Sequence, residues 1–132
     1  MYLLDTNICI YLLKQIYPVL NSRVTETDPA DIYISSITIY ELEYGAFKSK
    51  WGDRTRNNLH TFLAPFTFLP FDVPDAIAAG QIRSDLTNLG TPIGPYDILI
   101  AAQGIARKLT VITHNVKEFE RVPGLQVEDW TL

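Results

Sequence analysis

Three acidic residues, Asp5, Glu41 and Asp97, each stand close to the place where an apolar run gives way to a helical one, and together they suit a hard divalent cation. Carboxylates a few ångströms apart repel by ~1 kcal/mol per pair in water and by several times that at a partly buried site, so gathering three requires a compensating charge. Mg²⁺ can supply it, because it takes oxygen ligands, keeps several waters, and is usually held by one or two carboxylates together with substrate phosphate. The chain has two histidines and one cysteine, with no His/Cys cluster of the kind that binds zinc. Each acid also has a purely structural reading. Asp5 could cap a helix, Thr38-Ile39-Tyr40-Glu41 has the capping-box pattern, and Asp97 could favour a helix dipole.

The elements around them decide whether the acids can meet. Tyr2 to Leu4 reads as a buried strand that delivers Asp5, with Asn7 as N-cap of a following helix that presents Ile8, Tyr11 and Leu12. Ile32 to Ile34 is a second strand, and a helix from about Thr38 to Lys48 places Glu41 in its first turn. A polar connection containing Trp51-Gly52 leads to a helix capped by Asp53, with Leu59, Phe62, Leu63 and Phe66 on one side. Phe66 to Phe71 is a third strand. Asp72 and Pro74 open a helix with Ile77, Ile82 and Leu86 inward, and Gly90 stops it. A helix from about Tyr96 then carries Asp97 in its first turn and an apolar stripe of Ile98, Ala101, Ala102 and Ile105. Thr110 to Thr113 is a fourth strand, and Val127 to Trp130 a weaker fifth at an edge. Alternating strands and helices predict an α/β fold whose strand-to-helix junctions gather at one sheet edge, where ligands of open sheets bind.

The composition fits one domain spanning residues 1–132, 47% hydrophobic and 20% charged. A net charge of −4 argues against a protein that grips nucleic acid mainly through a basic surface, but not against a nuclease whose metal reverses the local field. Cys9, among Ile8, Ile10 and Tyr11, has no disulfide partner and reads as a buried thiol in a reducing cytoplasm. No apolar run reaches the ~20 residues of a membrane span, and none at the start reads as a signal peptide.

The contexts of the acids resemble the PIN domain of VapC toxins. Leu4-Asp5-Thr6-Asn7, Ile39-Tyr40-Glu41-Leu42-Glu43-Tyr44-Gly45, and Ile93-Gly94-Pro95-Tyr96-Asp97-Ile98 through Ala102 match in order and spacing. Thr113-His114-Asn115, Glu118-Phe119, Val122-Pro123-Gly124-Leu125 and Glu128-Asp129-Trp130 are similar to the closing segment of enterobacterial-type VapC proteins. The resemblance implies an α/β/α sandwich with a central, mainly parallel sheet and a Mg²⁺-dependent endoribonuclease in which Mn²⁺ can substitute. It implies Asp5, Glu41 and Asp97 as the acidic triad, with Asp5 and Asp97 the chief ligands. It also implies a VapB-type antitoxin partner, a homodimer within a toxin–antitoxin hetero-oligomer, and an RNA substrate, with tRNA foremost. Many PIN domains carry a fourth acid where this chain has Asn115, which can orient water but adds no charge; Glu118, one turn on, is the candidate replacement.

Thr6 and Thr113 are candidates to hydrogen-bond carboxylate or phosphate, while Lys48, Lys50, Arg54 and Arg56 around Trp51 could bind single-stranded RNA or simply form a solvated helix-hairpin tip. His60 and His114 lack a paired nucleophile and read as structural or substrate-orienting. Phe62, Phe66, Phe68 and Phe71 read as core or subunit-interface packing. An antitoxin groove is expected between Thr38 and Ala64, near Tyr40, Leu42, Tyr44, Phe47 and Leu59. The rival readings are a Mg²⁺-dependent phosphatase of the haloacid dehalogenase class, which normally needs an Asp where this chain has Asn7, a catalytically silent PIN-fold binding module, and a DNA-directed nuclease.

Overall fold

A computed structural model describes residues 1–132. Strand β1 (Tyr2–Leu4) lies at the centre of a five-stranded sheet, between β2 (Ile32–Ser35) and β4 (Thr110–Ile112). Outside these lie β3 (Thr67–Leu69) and β5 (Val127–Glu128), giving the order β3-β2-β1-β4-β5. Every pairing is parallel, so the expected mainly parallel sheet is wholly so. The pleat sends Leu3 and Leu4 to opposite faces, and each enters a separate buried apolar cluster.

Four helices serve the Leu4 face: α1 (Thr6–Lys14), α2 (Pro18–Glu26), α3 (Ser36–Lys48) and α4 (Gly52–Leu63). Their Ile8, Leu12, Leu20, Leu42 and Leu59 pack with Ile32, Ile34, Ile112 and Trp130. The Leu3 face is covered by α5 (Val73–Leu89) and α6 (Pro95–Arg107), with Phe119 from the short α7 (Val116–Phe119). Burying each such side chain contributes about 1.5–3 kcal/mol. The chain builds outward from β1 to β3 and then returns to the other side of β1, so the strand order reverses between β1 and β4. That switch point is where an open parallel sheet leaves a crevice at its carboxyl edge.

Several local expectations change. Asp5, not Asn7, is the N-cap of α1. Helix α3 starts at Ser36 because Ser35, as N-cap, accepts from the Ile37 N–H, so Thr38 does not cap and Glu41 lies in the second turn. Asp53 sits within the first turn of α4, whose N-cap is Trp51. Asp72 caps α5 as expected, in a reciprocal capping box with Asp75, and Gly90 ends that helix in the left-handed conformation (φ 69°). Ile77 is not inward but 70% exposed, because α5 buries Asp75, Ala79, Ile82 and Leu86, and Ile77 falls off that face. Phe62, Phe66 and Phe71 pack at core margins, whereas Phe68 is exposed.

Glycine matters most at Gly104. A Cβ there would lie 2.7 Å from Leu125 Cδ1 and 2.9 Å from Val111 Cγ2, so its absence lets α6 press against β4. This close approach helps fix the helix that carries Asp97.

Candidate active site

Asp5 follows β1 at the switch point. Its N–H donates to the Ile112 carbonyl (3.0 Å), prolonging the pairing with β4, while its Oδ1 accepts from the Ile8 N–H at 2.8 Å. Burial pushes the carboxyl up to about 6, with Glu41's charge adding to the rise, against the lowering effect of hydrogen bonds from Thr113 and Ile8. The same burial, together with Asp5's charge, raises the neighbouring Cys9 thiol and makes it a poor nucleophile.

Glu41 reaches the site from α3. Thr6 Oγ1, one residue after Asp5, lies 2.7 Å from Glu41 Oε1 and 3.1 Å from the buried Thr38 Oγ1. The shorter contact is a hydroxyl-to-carboxylate bond, the stronger of the two types. Thr6 thus links the acid-bearing end of β1 to α3, and Thr113 links it to β4.

Asp97 occupies the first turn of α6, as expected. Its carboxyl is pushed up to about 7 by burial first, then by the charges of Glu118, Asp5 and Glu41. Glu118 behaves oppositely. Burial alone would raise it, but Oε1 accepts from the Gly94 N–H at 2.5 Å and Oε2 from Asn115 Nδ2 at 2.5 Å, and together with Asp97 these bonds hold it below the usual glutamate range. The two carboxyls therefore titrate as a coupled pair, with Asp97 the raised partner and Glu118 the lowered one. A Cβ at Gly94 would stand 3.3 Å from Asp97 Oδ2 and 3.6 Å from Glu118 Oε1, so glycine leaves room for both carboxylates.

The acids are neighbours in charge rather than a closed cage: no three His, Cys, Asp or Glu side chains converge closely enough to hold an ion by themselves. An ion bound here would complete its shell with water and phosphate, the usual habit of Mg²⁺.

Comparison with known proteins bears on what such a site belongs to. The family model described as PIN domain matches residues 2–125. The chain belongs to the PIN-domain family. It is 42% identical over 129 residues to the tRNA(fMet)-specific endonuclease VapC of Salmonella typhimurium, covering 98% of this chain and 97% of that relative. Among solved structures, DNA-bound VapBC from Salmonella typhimurium superposes with a TM-score of 0.92 at 42% identity, covering 98% of this chain and 97% of that one. VapBC2 from Rickettsia felis, bound to a DNA fragment from its promoter, gives 0.91 at 35% identity, with 98% of each chain covered. The phosphatase reading falls with this match, and Asn7 lies exposed on α1.

Within this PIN domain, Asp5, Thr6, Glu41, Asp97, Thr113, Asn115 and Glu118 are linked by the bonds and charge couplings just described. Most of the basic side chains between α3 and α4 have partners of their own. Arg56 bonds Glu43 (3.1 Å) and lies over the Phe47 ring, Lys48 lies over Tyr44, Lys50 over Trp51, and Arg54 is exposed without an ion pair. Lys48 is seven residues beyond Glu41, about 10 Å along the axis of α3. His60 meets Glu43 at 2.6 Å, and His114 Nδ1 is held by Asp129 (3.1 Å) and Thr131 (3.0 Å).

Sequence reasoning missed Thr38, Gly94 and an aromatic pair at the rim, Tyr40 with Tyr96. Their hydroxyls are 3.3 Å apart, and that bond, with Glu41's charge adding, raises the Tyr96 phenol. A signal existed: each tyrosine immediately precedes an acid of the site.

Proposed function

We propose that this PIN domain is the toxin of a VapBC-type pair, a cytoplasmic, Mg²⁺-dependent endoribonuclease that cuts tRNA and is neutralised by a small antitoxin. The reading is carried by the charge coupling of Asp5, Glu41 and Asp97, which come from three separate segments beside the switch point of a parallel sheet and are ion-paired to no Lys or Arg. The donor set fits Mg²⁺ or Mn²⁺, being oxygen only, and burial first, then repulsion among the acids, raises the Asp5 and Asp97 carboxyls, a strain that a bound cation would relieve. Asp5 and Asp97 are the chief ligands, with Glu41 binding directly or through water, and residues 1–132 act as one domain.

Bound there, the ion would polarise the scissile phosphate and lower the pKa of an attacking water. The chain's own side chains prepare the ground. Thr6 fixes Glu41, and Thr113 with the Ile8 N–H fixes Asp5. Glu118 supplies the fourth carboxylate, while Asn115, at the position where many PIN domains have an acid, orients Glu118 through its amide. Water attack leaves a 5′-phosphate and a 3′-hydroxyl.

A groove of about 470 Å³ runs from Glu41 between α1, α3 and α4, lined by Ile10, Leu13, Leu42, Ala46 and Leu59. It suits an apolar antitoxin helix, with exposed Tyr44 and Phe47 on the α3 side and the acid cluster at one end for a basic side chain. Exposed Val73 and Ile77 on α5 offer apolar surface to a second copy.

The deciding experiment sequences 5′-phosphorylated fragments after induction of the chain, beside an Asp5→Ala control. Discrete tRNA cuts absent from the control support the proposal. Equal cutting by both removes Asp5 from the chemistry, and discrete cuts confined to messenger or ribosomal RNA replace the substrate.

A further inference from the structure

Tyr40 on α3 and Tyr96 on α6 come from distant parts of the chain, yet their rings meet edge to face, with centroids 5.8 Å apart and planes at 60°. Their hydroxyls satisfy each other across 3.3 Å. Despite this contact they remain 55% and 41% exposed. Each side chain restrains the other, so a planar group settling on an open ring face would order little further conformational freedom.

The position narrows what that group is. Glu41 and Asp97 follow these tyrosines directly, and the net charge of the chain is −4, so the rim repels a phosphate backbone wherever an ion does not offset the acids. A nucleobase offers a neutral planar face for which this repulsion is small, and base–aromatic stacking tolerates any base. A base inside an A-form helix already has both faces stacked, so only an unpaired nucleotide can use such a platform.

We propose that Tyr40 and Tyr96 form a preorganised stacking platform for an unpaired nucleobase flanking the cut. The platform rests on the ribonuclease reading for its role but can be measured without cleavage. The test uses the full chain carrying Asp5→Asn, with Mg²⁺ present, titrated into a short single-stranded oligoribonucleotide containing 2-aminopurine, whose fluorescence is quenched on stacking.

The expected result is quenching on binding, about tenfold weaker affinity with loss of the quench in Tyr40→Ala and Tyr96→Ala, and values within twofold of the parent in Tyr40→Phe and Tyr96→Phe. Annealing the same oligonucleotide to its complement should abolish the difference between tyrosine and alanine. Three outcomes overturn the platform. Alanine variants could bind and quench like the parent. Phenylalanine variants could lose as much as alanine ones, which would assign the contact to the hydroxyls. The alanine variants could keep RNA binding but lose an apolar helical peptide from the groove, which would assign the rim to a protein partner. Cleavage by the unsubstituted chain is a separate readout: intact stacking with no cutting in Mg²⁺ sinks the ribonuclease reading and leaves the platform standing.

Discussion

At the N-terminal end of α6, Asp97 shares its surroundings with Asp5, Glu41 and Glu118 and pairs with no basic side chain. Near the C-terminal end of the same helix, Arg107 donates to the buried Asp75 through Nε (3.1 Å) and Nη2 (3.2 Å), and Gln103 and the Asp72 N–H donate to the same carboxylate. Two buried aspartates, Asp5 and Asp75, therefore stand in opposite states. Burial drives Asp5 up, whereas for Asp75 burial is outweighed by Arg107 and the other donors, and its carboxyl lies below the ordinary range. A carboxylate whose donors and counter-charge are supplied by the fold ties α5 to α6. A cluster without them must take its positive charge from outside, and that is a binding site.

Exchanging one carboxylate for its amide in each region should separate these roles, and the largest effect belongs to the acid cluster. Asp5→Asn or Asp97→Asn should lower RNA cleavage in Mg²⁺ at least about 10²–10³-fold, ~3–4 kcal/mol in barrier. The ion-free protein should meanwhile unfold at an equal or higher temperature, because a repulsive charge has gone. Asp75→Asn should do the reverse, costing about 2–3 kcal/mol in denaturant unfolding, because Arg107 loses its partner and buried donors go unmatched, while folded material still cleaves. Loss of stability in Asp97→Asn, or loss of kcat in well-folded Asp75→Asn, would dissolve the contrast.

The dependence on pH follows with opposite signs. Asp5 and Asp97 are raised to about 6 and about 7. Between the unfolded value near 3.8 and these values the folded state binds more protons, so their contribution to the stability of the ion-free protein is present at low pH and lost as pH rises through 6–7. For Asp5 the change is on the order of 2–3 kcal/mol. Asp75 is lowered, so its contribution is present above pH 3.8 and disappears only as pH falls below that. Mg²⁺ at about a hundred times its dissociation constant should restore about 2.7 kcal/mol at pH 8 and much less at pH 5, with no such gain in Asp5→Asn. Thermal unfolding with Mg²⁺ and with EDTA at the two pH values measures it; equal gains at both would put the ion elsewhere.

Much of this contrast was open to a reader of the sequence at one end of α6 and closed at the other. Asp5 was legible because a buried strand followed by a polar break places its last side chain at the carboxyl edge, and Asp97 because a Gly94-Pro95 start defines a first turn. Glu41 was found but displaced by a turn. Two hydroxyl residues, Ser35 and Thr38, compete to cap α3, and where β2 ends decides between them. Ile77 misled because α5 packs along Ala79, Ile82 and Leu86, roughly 140–200° around the helix from it. Helix α2, which fully buries only Leu20 and leaves Val19 exposed, and α7, only four residues long, leave almost no periodic signal. Asp75 with Arg107 is a contact across 32 positions that periodicity does not signal, and Glu118, 21 positions from Asp97, was reached only through the resemblance.

The smallest effect concerns Glu118, which belongs to the acid cluster but, like Asp75, is held by donors from the fold. Replacing it with Gln keeps one acceptor for the Gly94 N–H and removes the charge that helps lift Asp97. The Asp97 carboxyl should then titrate lower, as followed by carboxyl NMR, and the protein should change in stability by less than about 1 kcal/mol. If Glu118 serves only to tune its neighbour, Mg²⁺ affinity should hold or rise and cleavage should change little. If it is the fourth carboxylate, Mg²⁺ affinity and cleavage should fall together, by about three- to tenfold, a loss of roughly 1 kcal/mol. Asn115→Ala should then reproduce part of the loss, because the amide that orients Glu118 is gone while the charge remains. A full loss in Asn115→Ala with none in Glu118→Gln would instead return the fourth position to Asn115 itself, acting on water rather than through its neighbour.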